Sequence, residues 1–195
     1  MLGADDPIDW APRRILVAGV TGAGKSTYAR QLAELAGFPY VETDSLYHGP
    51  GWTERPTFLA DLRSFIAQPA WVTEWQYHQV REETALAADT LVWLDHPTPV
   101  ALARVIRRTL RRRRMREVLW NGNVEPPLRT FFTDPDHIVR WGIRTRNKER
   151  VRVPDFETRM PHLHIVRLRH QRDADRWRHA FGASIAPPNL RSRET

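Results

Sequence analysis

The chain has 195 residues, and its 41% of hydrophobic side chains is enough for one buried core, which sets aside fibrous and two-domain readings. It contains no cysteine, so disulfide scaffolds and thiolate metal sites are excluded. Its formal charge is +7, and 28 of its 30 cations are arginine, whose flat fork suits phosphate or carboxylate better than lysine's point charge.

Residues 1 to 12 are polar and hold Asp5, Asp6 and Asp9, unlike a secretory signal, and they are expected to form a flexible end. Ile15-Leu16-Val17-Ala18 is a short continuous apolar run, the pattern of a strand buried on both faces. Past the next loop, Tyr28, Leu32, Leu35 and Ala36 recur at helical spacing until Gly37 offers a stop. Further strands are expected at Pro39 to Glu42, Trp71 to Glu74, Thr90 to Asp95 and Leu163 to Leu168, with helical patterns in every gap. A tail from about Ala183, with Pro187 and Pro188, is expected to lie loose on the surface. Strands alternating with helices make an α/β domain over residues 13 to 182, a five-stranded parallel sheet with helices on both faces. No apolar stretch nears the roughly 20 residues of a membrane helix. A soluble, cytoplasmic protein with no membrane partner is expected.

Gly19-Val20-Thr21-Gly22-Ala23-Gly24-Lys25-Ser26 meets the spacing G-x-x-x-x-G-K-[ST], with Thr27 next, and it lies between the first strand and a patterned helix. Glycines let successive N–H groups curl around one centre, the helix start adds positive potential, and Lys25 adds a full charge. Gly19, Thr21, Gly22, Ala23, Gly24, Lys25, Ser26 and Thr27 are therefore the expected cradle for the phosphates of ATP. Ser26 is expected to hold Mg²⁺ through its hydroxyl, as in other enzymes with this loop.

Asp44, Glu74 and Asp95 each end or follow an expected strand, and ligands of open α/β sheets bind outside those carboxyl ends, so the three acids are expected on one rim. Asp44 suits a general base that takes the proton of a hydroxyl acceptor. Its other readings are a cap for the turn Ser45 to His48 or an indirect magnesium partner. Tyr47, Trp52 and Arg55 follow within an acceptor-side segment, residues 44 to 66. An aromatic pair with one arginine suits a base or a sugar, and core or surface roles are the alternative.

Residues 101 to 116 hold eight arginines and no acid, and without those charges the rest of the chain would carry −1. Val105, Ile106, Leu110 and Met115 are expected to form the apolar side of this helix. Three readings of Arg111 to Arg114 stand open. The first is a lid over residues 104 to 126 whose arginines, Arg112 among them, stabilise a transition state. The others are a solvated helix face and a strip for nucleic acid. Trp120 to Pro127 offers a hinge, and a helix from Arg129 to Arg150 is expected next.

A phosphate loop near the N-terminus, an acid after the second strand, a third strand ending in an acid and an arginine-rich helix after the fourth together resemble the nucleoside monophosphate kinase superfamily. More closely, Asp44-Ser45-Leu46-Tyr47-His48-Gly49-Pro50-Gly51-Trp52, the run Trp71 to Tyr77 and the run Ala88 to Asp95 are similar to the adenylate-kinase-like family labelled DNA topology modulation protein (FlaR-like). The resemblance covers about residues 14 to 180. It implies the P-loop NTPase fold and an ATP-dependent phosphotransferase, moving the γ-phosphate of Mg-ATP to a nucleotide, nucleoside or small hydroxylated acceptor. It also implies that Arg104 stacks on the donor base, that Arg108 faces the transferred group, and that Arg169 closes on the donor base. Where the family has Asp-Gly-Asn-Tyr, this chain has Glu74-Trp75-Gln76-Tyr77. Glu74 and Gln76 keep an acid and an amide, implying a metal–water contact and an acceptor contact, while Trp75 narrows the site. Adenylate kinases carry acceptor-phosphate arginines where this chain has Tyr47 and, after the third strand, Tyr77 and His78, which sets AMP apart as an acceptor. The rival class is a nucleic-acid-associated P-loop ATPase whose basic segment binds phosphodiester backbone while ATP acts as a switch.

Overall fold

A computed structural model describes residues 1–124 and 138–185 of the chain. Residues 125 and 126 of the expected lid, the first part of the expected helix from Arg129, and the tail from residue 186 lie outside the described residues.

Five strands form one parallel sheet: β1 (Arg14–Gly19), β2 (Tyr40–Val41), β3 (Trp71–Glu74), β4 (Thr90–Leu94) and β5 (His164–Leu168), ordered β2-β3-β1-β4-β5. Each matches an apolar run of the sequence. The register sets Val17 beside both Glu74 and Val92, so the ends of the three central strands form one rim. Alternate side chains of β1 enter different layers. Leu16 and Ala18 pack with α3 (Phe58–Ile66) and α7 (Lys148–Arg159), whereas Ile15 and Val17 pack with α1 (Lys25–Ala36) and α8 (Gln171–Ile185). Both faces of the central strands are therefore buried, the reason their sequences are continuous in apolar residues rather than alternating. Trp71, Trp93 and Trp177 are the largest fully buried side chains.

The chain leaves β1 to build β2 and β3 on one side, then crosses to β4 and β5 on the other. The crevice where the order reverses lies beside the end of β1, the usual ligand site of such a sheet. The remaining helices are α2 (Thr43–Tyr47), α4 (Arg81–Ala87), α5 (Thr98–Met115) and α6 (Ile138–Thr145). Among them α2, α4 and α5 begin beyond the carboxyl ends of β2, β3 and β4.

Three expectations are corrected. The first residues are not loose: Leu2 exchanges backbone hydrogen bonds with Ile165 and Arg167, which covers the open edge of β5, and Trp10 stacks on His164 at 4.2 Å. Residues 183–185 complete α8 instead of opening the tail. Finally, a break at residues 146 and 147 separates α6 from α7, and Arg150 lies in the second of them. Among the described residues, no helix is long and apolar enough to cross a membrane.

Candidate active site

Gly24 ends the loop after β1 in the left-handed conformation, φ 98°, and α1 starts at Lys25. A side chain there would be strained, which is why glycine precedes the lysine. Gly22 is needed for a different reason, close approach. A Cβ on it would lie 2.2 Å from the Ala101 carbonyl oxygen and 2.5 Å from Val105 Cγ2. The phosphate loop is thus packed directly on the arginine helix α5. Gly22→Ala forces the two apart, and we expect it to lower stability by about 1–3 kcal/mol and to weaken ATP binding. A thermal melt identical to that of the parent chain would show that the contact is slack.

The loop opens into a cavity of about 1090 Å³, lined by Gly19, Thr21, Gly22, Gly24, Lys25, Ser26 and Thr27. Ala23 lies beneath it, fully packed. Among the described residues, Lys25 Nζ has only a long contact with the Val20 carbonyl oxygen, 3.5 Å. Burial pulls the Lys25 ammonium below the usual lysine range, and the carboxylates of Asp44, Glu74 and Glu149 oppose that shift.

Asp44 and Gln76 face this cavity. Asp44 Oδ1 accepts the Tyr77 hydroxyl at 2.6 Å and Gln76 Nε2 at 3.4 Å, while no hydrogen bond reaches Oδ2 among the described residues. Asp44 is not a cap. It sits inside the first turn of α2, and Glu42 occupies the cap position. Tyr77 hydroxyl also lies 3.3 Å from His48 Nε2, and its ring stacks on Tyr47 at 4.0 Å. Burial drives the Tyr77 phenol well above its ordinary range, and the Asp44 charge adds to this, so Tyr77 stays protonated and donates. Burial likewise lowers the His48 imidazole against the pull of Asp44.

Glu74 is not among the residues that line the cavity. Its carboxylate is buried and accepts from the Tyr40 hydroxyl at 2.8 Å and from Thr43 N–H at 2.9 Å, fastening the start of α2 to the sheet. Burial raises its pKa above the ordinary 4.5, although the hydrogen bonds from Thr43 and Tyr40 pull the other way. With the folded pKa higher than the unfolded one, the folded state binds more protons between the two, so stability falls as pH rises from about 4.5 through the folded pKa. Glu74→Gln removes that titration. The variant is expected to gain on the parent in melting temperature as pH is raised from 4 to 7, and a growing deficit over that range would refute this. Asp95, which follows β4 as expected, is likewise taken up by partners within the fold. It is held by Arg150 Nε at 2.9 Å and Arg167 Nε at 3.0 Å, so it anchors α7 to the sheet.

On the acceptor side, Tyr47 lines the cavity and donates to Glu54 at 3.0 Å. Arg55 and Trp52 do not line it. Arg55 pairs with Asp61 at 3.0 Å and with the Ser45 carbonyl oxygen at 3.3 Å, which closes its own loop. Trp52 packs edge-on to His48 and Trp120. Two bridged turns lock this segment to the stretch after α5. Asn123 Nδ2 donates to the Gly49 carbonyl oxygen at 2.8 Å, and Trp52 N–H donates to Asn123 Oδ1 at 3.0 Å. The described part of the expected lid is thereby fastened over the cavity.

In α5, Arg108, Arg111 and Arg112 line the cavity. Arg112 also reaches Glu117 at 3.6 Å and lies over the Trp120 ring at 5.7 Å, and Arg111 pairs with Glu117 at 3.3 Å. An acid just past the row thus offsets part of its repulsion. The expected apolar side is corrected: Val105 is buried, but Ile106, Leu110 and Met115 are exposed, and Ala101 and Thr109 complete the buried stripe. Arg104 donates to the Ala23 carbonyl oxygen at 3.2 Å and to Gln171 at 3.1 Å, which places it against the back of the phosphate loop. Arg169 is exposed and outside the cavity lining, and its N–H is bound by Asp173 at 3.0 Å.

This chain is similar to solved structures of two small-molecule kinases. A gluconokinase from Sinorhizobium meliloti 1021 aligns at 21% identity over 94% of this chain and 98% of the other, with a TM-score of 0.49. A shikimate kinase from Acinetobacter baumannii, in complex with shikimate, aligns at 19% identity over 95% and 97%, with a TM-score of 0.52. The fold is that of the P-loop kinases. No protein-family model matches the sequence, and comparison with curated proteins finds no match.

Sequence reasoning missed Tyr77 as a hydrogen-bond partner of Asp44 and His48 beside that same hydroxyl, and it missed a second basic group on another wall of the cavity. Arg81, Lys148 and Arg152 line that wall together with Glu149 and Trp75. The available signal for Arg81 is its place as the first residue of the helix that follows β3, on the same rim as the phosphate loop.

Proposed function

We propose that the chain is a P-loop kinase that moves the γ-phosphate of ATP to a hydroxyl of a small acceptor, with Asp44 taking the hydroxyl proton. The observation that carries this reading is that Asp44 lines the same cavity as Lys25 and Ser26, with one carboxylate oxygen tied to Tyr77 and the other without a hydrogen bond among the described residues. A phosphate acceptor is already anionic near neutral pH and needs no such base, whereas a hydroxyl gains from one. The fold shared with the shikimate kinase structure is compatible with a small-molecule acceptor. The adenylate-kinase-like, FlaR-like assignment belongs to the same proposal and rests on the segment Asp44 to Trp52 and the runs ending at Tyr77 and Asp95.

The loop N–H groups and Lys25 hold the β- and γ-phosphates, and Arg108 and Arg112 approach the charge from the α5 side. Arg104 supports the loop and the donor end. Ser26, in the first turn of α1 and facing the cavity, fits Mg²⁺ held mainly by nucleotide phosphates. Among the described residues no three His, Asp or Glu side chains gather to hold a metal by themselves, in keeping with an ion that arrives with its nucleotide. When bound, that ion would offset the negative charge of the phosphates. The asparagine clasp over the cavity keeps water from competing with the acceptor. A coupled ADP-release screen over nucleosides, nucleoside monophosphates and hydroxylated metabolites, with Lys25→Ala as blank, tests the proposal. Activity that no acceptor raises above the blank would sink it.

A further inference from the structure

Another wall of the cavity, outside the arginine helix, has its own charge pattern. Arg81 opens α4 half-buried, with its guanidinium over the Trp75 ring at 5.6 Å. Its Nε is shut off from solvent without a hydrogen-bond partner, and no hydrogen bond of that guanidinium is made among the described residues. Arg152 pairs through Nη1 with Glu149 Oε1 at 2.6 Å, and Lys148 lies over Trp141 at 5.0 Å. Glu149 is 9% exposed, and its second oxygen, Oε2, is buried without a partner. Arg152, Lys25, Arg81 and Lys148 all act electrostatically on this one carboxylate, and water does not reach Arg81 Nε.

A guanidinium N–H shut off from water without a partner is costly, and the rest of this half-buried guanidinium lines the cavity, where an anion can meet it. Burial and the Arg152 charge both work against the Arg81 cation, and Glu149 compensates only in part. The shelf beneath is stiff: Trp75 donates to the Arg81 carbonyl oxygen at 3.0 Å and packs edge-on against Phe156 at 4.8 Å. The same loop from β3 to α4 carries Gln76 and Tyr77 to Asp44, so one short segment joins the basic wall to the proposed base.

We propose that Arg81 and Arg152 form a subsite for an anionic group on the acceptor, and that the acceptor is a small hydroxylated organic anion. Its carboxylate or phosphate lies against the two guanidiniums. A hydroxyl of the acceptor is presented to Asp44, which takes its proton, and the acceptor oxygen bonds to the γ-phosphorus as the bond to the ADP oxygen breaks. This inference rests on the phosphotransfer reading above and narrows its acceptor class.

The test uses matched acceptor pairs in the ADP-release assay: an aldonic acid against the alditol of the same carbon skeleton, and a nucleoside monophosphate or sugar phosphate against its unphosphorylated parent. The full chain is compared with Arg81→Gln, which removes no internal hydrogen bond, and with Arg152→Gln. We expect the anionic member of at least one pair to drive ADP release, and either substitution to raise its KM about 10- to 100-fold with kcat and the KM for ATP changed less than threefold. A response to carboxylates or to phosphates supports the subsite, and the responding pair names the anion. Equal use of the charged and neutral members, or an unchanged acceptor KM in Arg81→Gln, overturns the subsite and leaves phosphotransfer standing. ADP release that no acceptor stimulates overturns the phosphotransfer reading and the subsite with it.

Discussion

Lys25→Ala is expected to lower phosphotransfer by about 10³-fold or more, in the range seen when a transition-state cation is removed from phosphoryl transfer, while leaving the fold in place. The two halves of this result have separate causes. Among the described residues, Lys25 Nζ makes one contact at the limit of hydrogen bonding, 3.5 Å to the Val20 carbonyl oxygen, so truncation breaks no strong bond to them. Burial already disfavours its charge, and the three nearby carboxylates return only part of that cost. Stability should therefore change by no more than about 1 kcal/mol. The charge matters only when phosphate enters, because the loop N–H groups and α1 supply partial charges and Lys25 the whole one. ADP release and thermal melting on the same preparation check both halves. Turnover within tenfold of the parent would remove Lys25 from the machinery, and a collapsed melt would make it structural.

Asp44→Asn is the second large effect, with kcat expected to fall about 10²- to 10⁴-fold, the usual contribution of a positioned base. The substitution is a narrow one. Asparagine keeps an oxygen able to accept the Tyr77 hydroxyl, so α2 and the stacked pair Tyr47 and Tyr77 stay in place. What is lost is the open oxygen that takes the proton. Acceptor KM should move less than threefold, because binding is assigned to Arg81 and Arg152 on the other wall. Steady-state kinetics with the best acceptor separates the two parameters. An Asp44→Asn enzyme with full kcat would exclude the base role, and a rise in KM alone would mean that Asp44 merely holds the substrate.

The phosphate loop was legible because its chemistry is local. Gly19, Gly22, Gly24, Lys25 and Ser26 stand within eight residues, and the strand and helix on either side are continuous patterns. The acids were legible only as positions. Asp44, Glu74 and Asp95 all follow strands, yet Asp44 alone presents its carboxylate to the cavity: Glu74 is claimed by Tyr40 and Thr43, and Asp95 by Arg150 and Arg167. Those partners are up to 72 residues away, and no spacing rule reports them.

Arg55 and Arg108 show the same division. Both are arginines in segments expected near the substrate, but one closes its own loop on Asp61 and the other lines the cavity. The eight-arginine row located the charge of the chain, and packing then sorted it. Ala101, Val105 and Thr109 bury one stripe of α5, which rotates Arg108, Arg111 and Arg112 over the site and leaves Arg107 and Arg114 exposed. By itself the sequence determined a buried parallel sheet, a phosphate loop after its first strand and a basic helix after its fourth, because short-range periodicity and backbone chemistry are written in neighbouring residues. Only the tertiary structure decided which charged groups are already paired and which still face the cavity, because that depends on partners brought together across the sheet from distant parts of the chain.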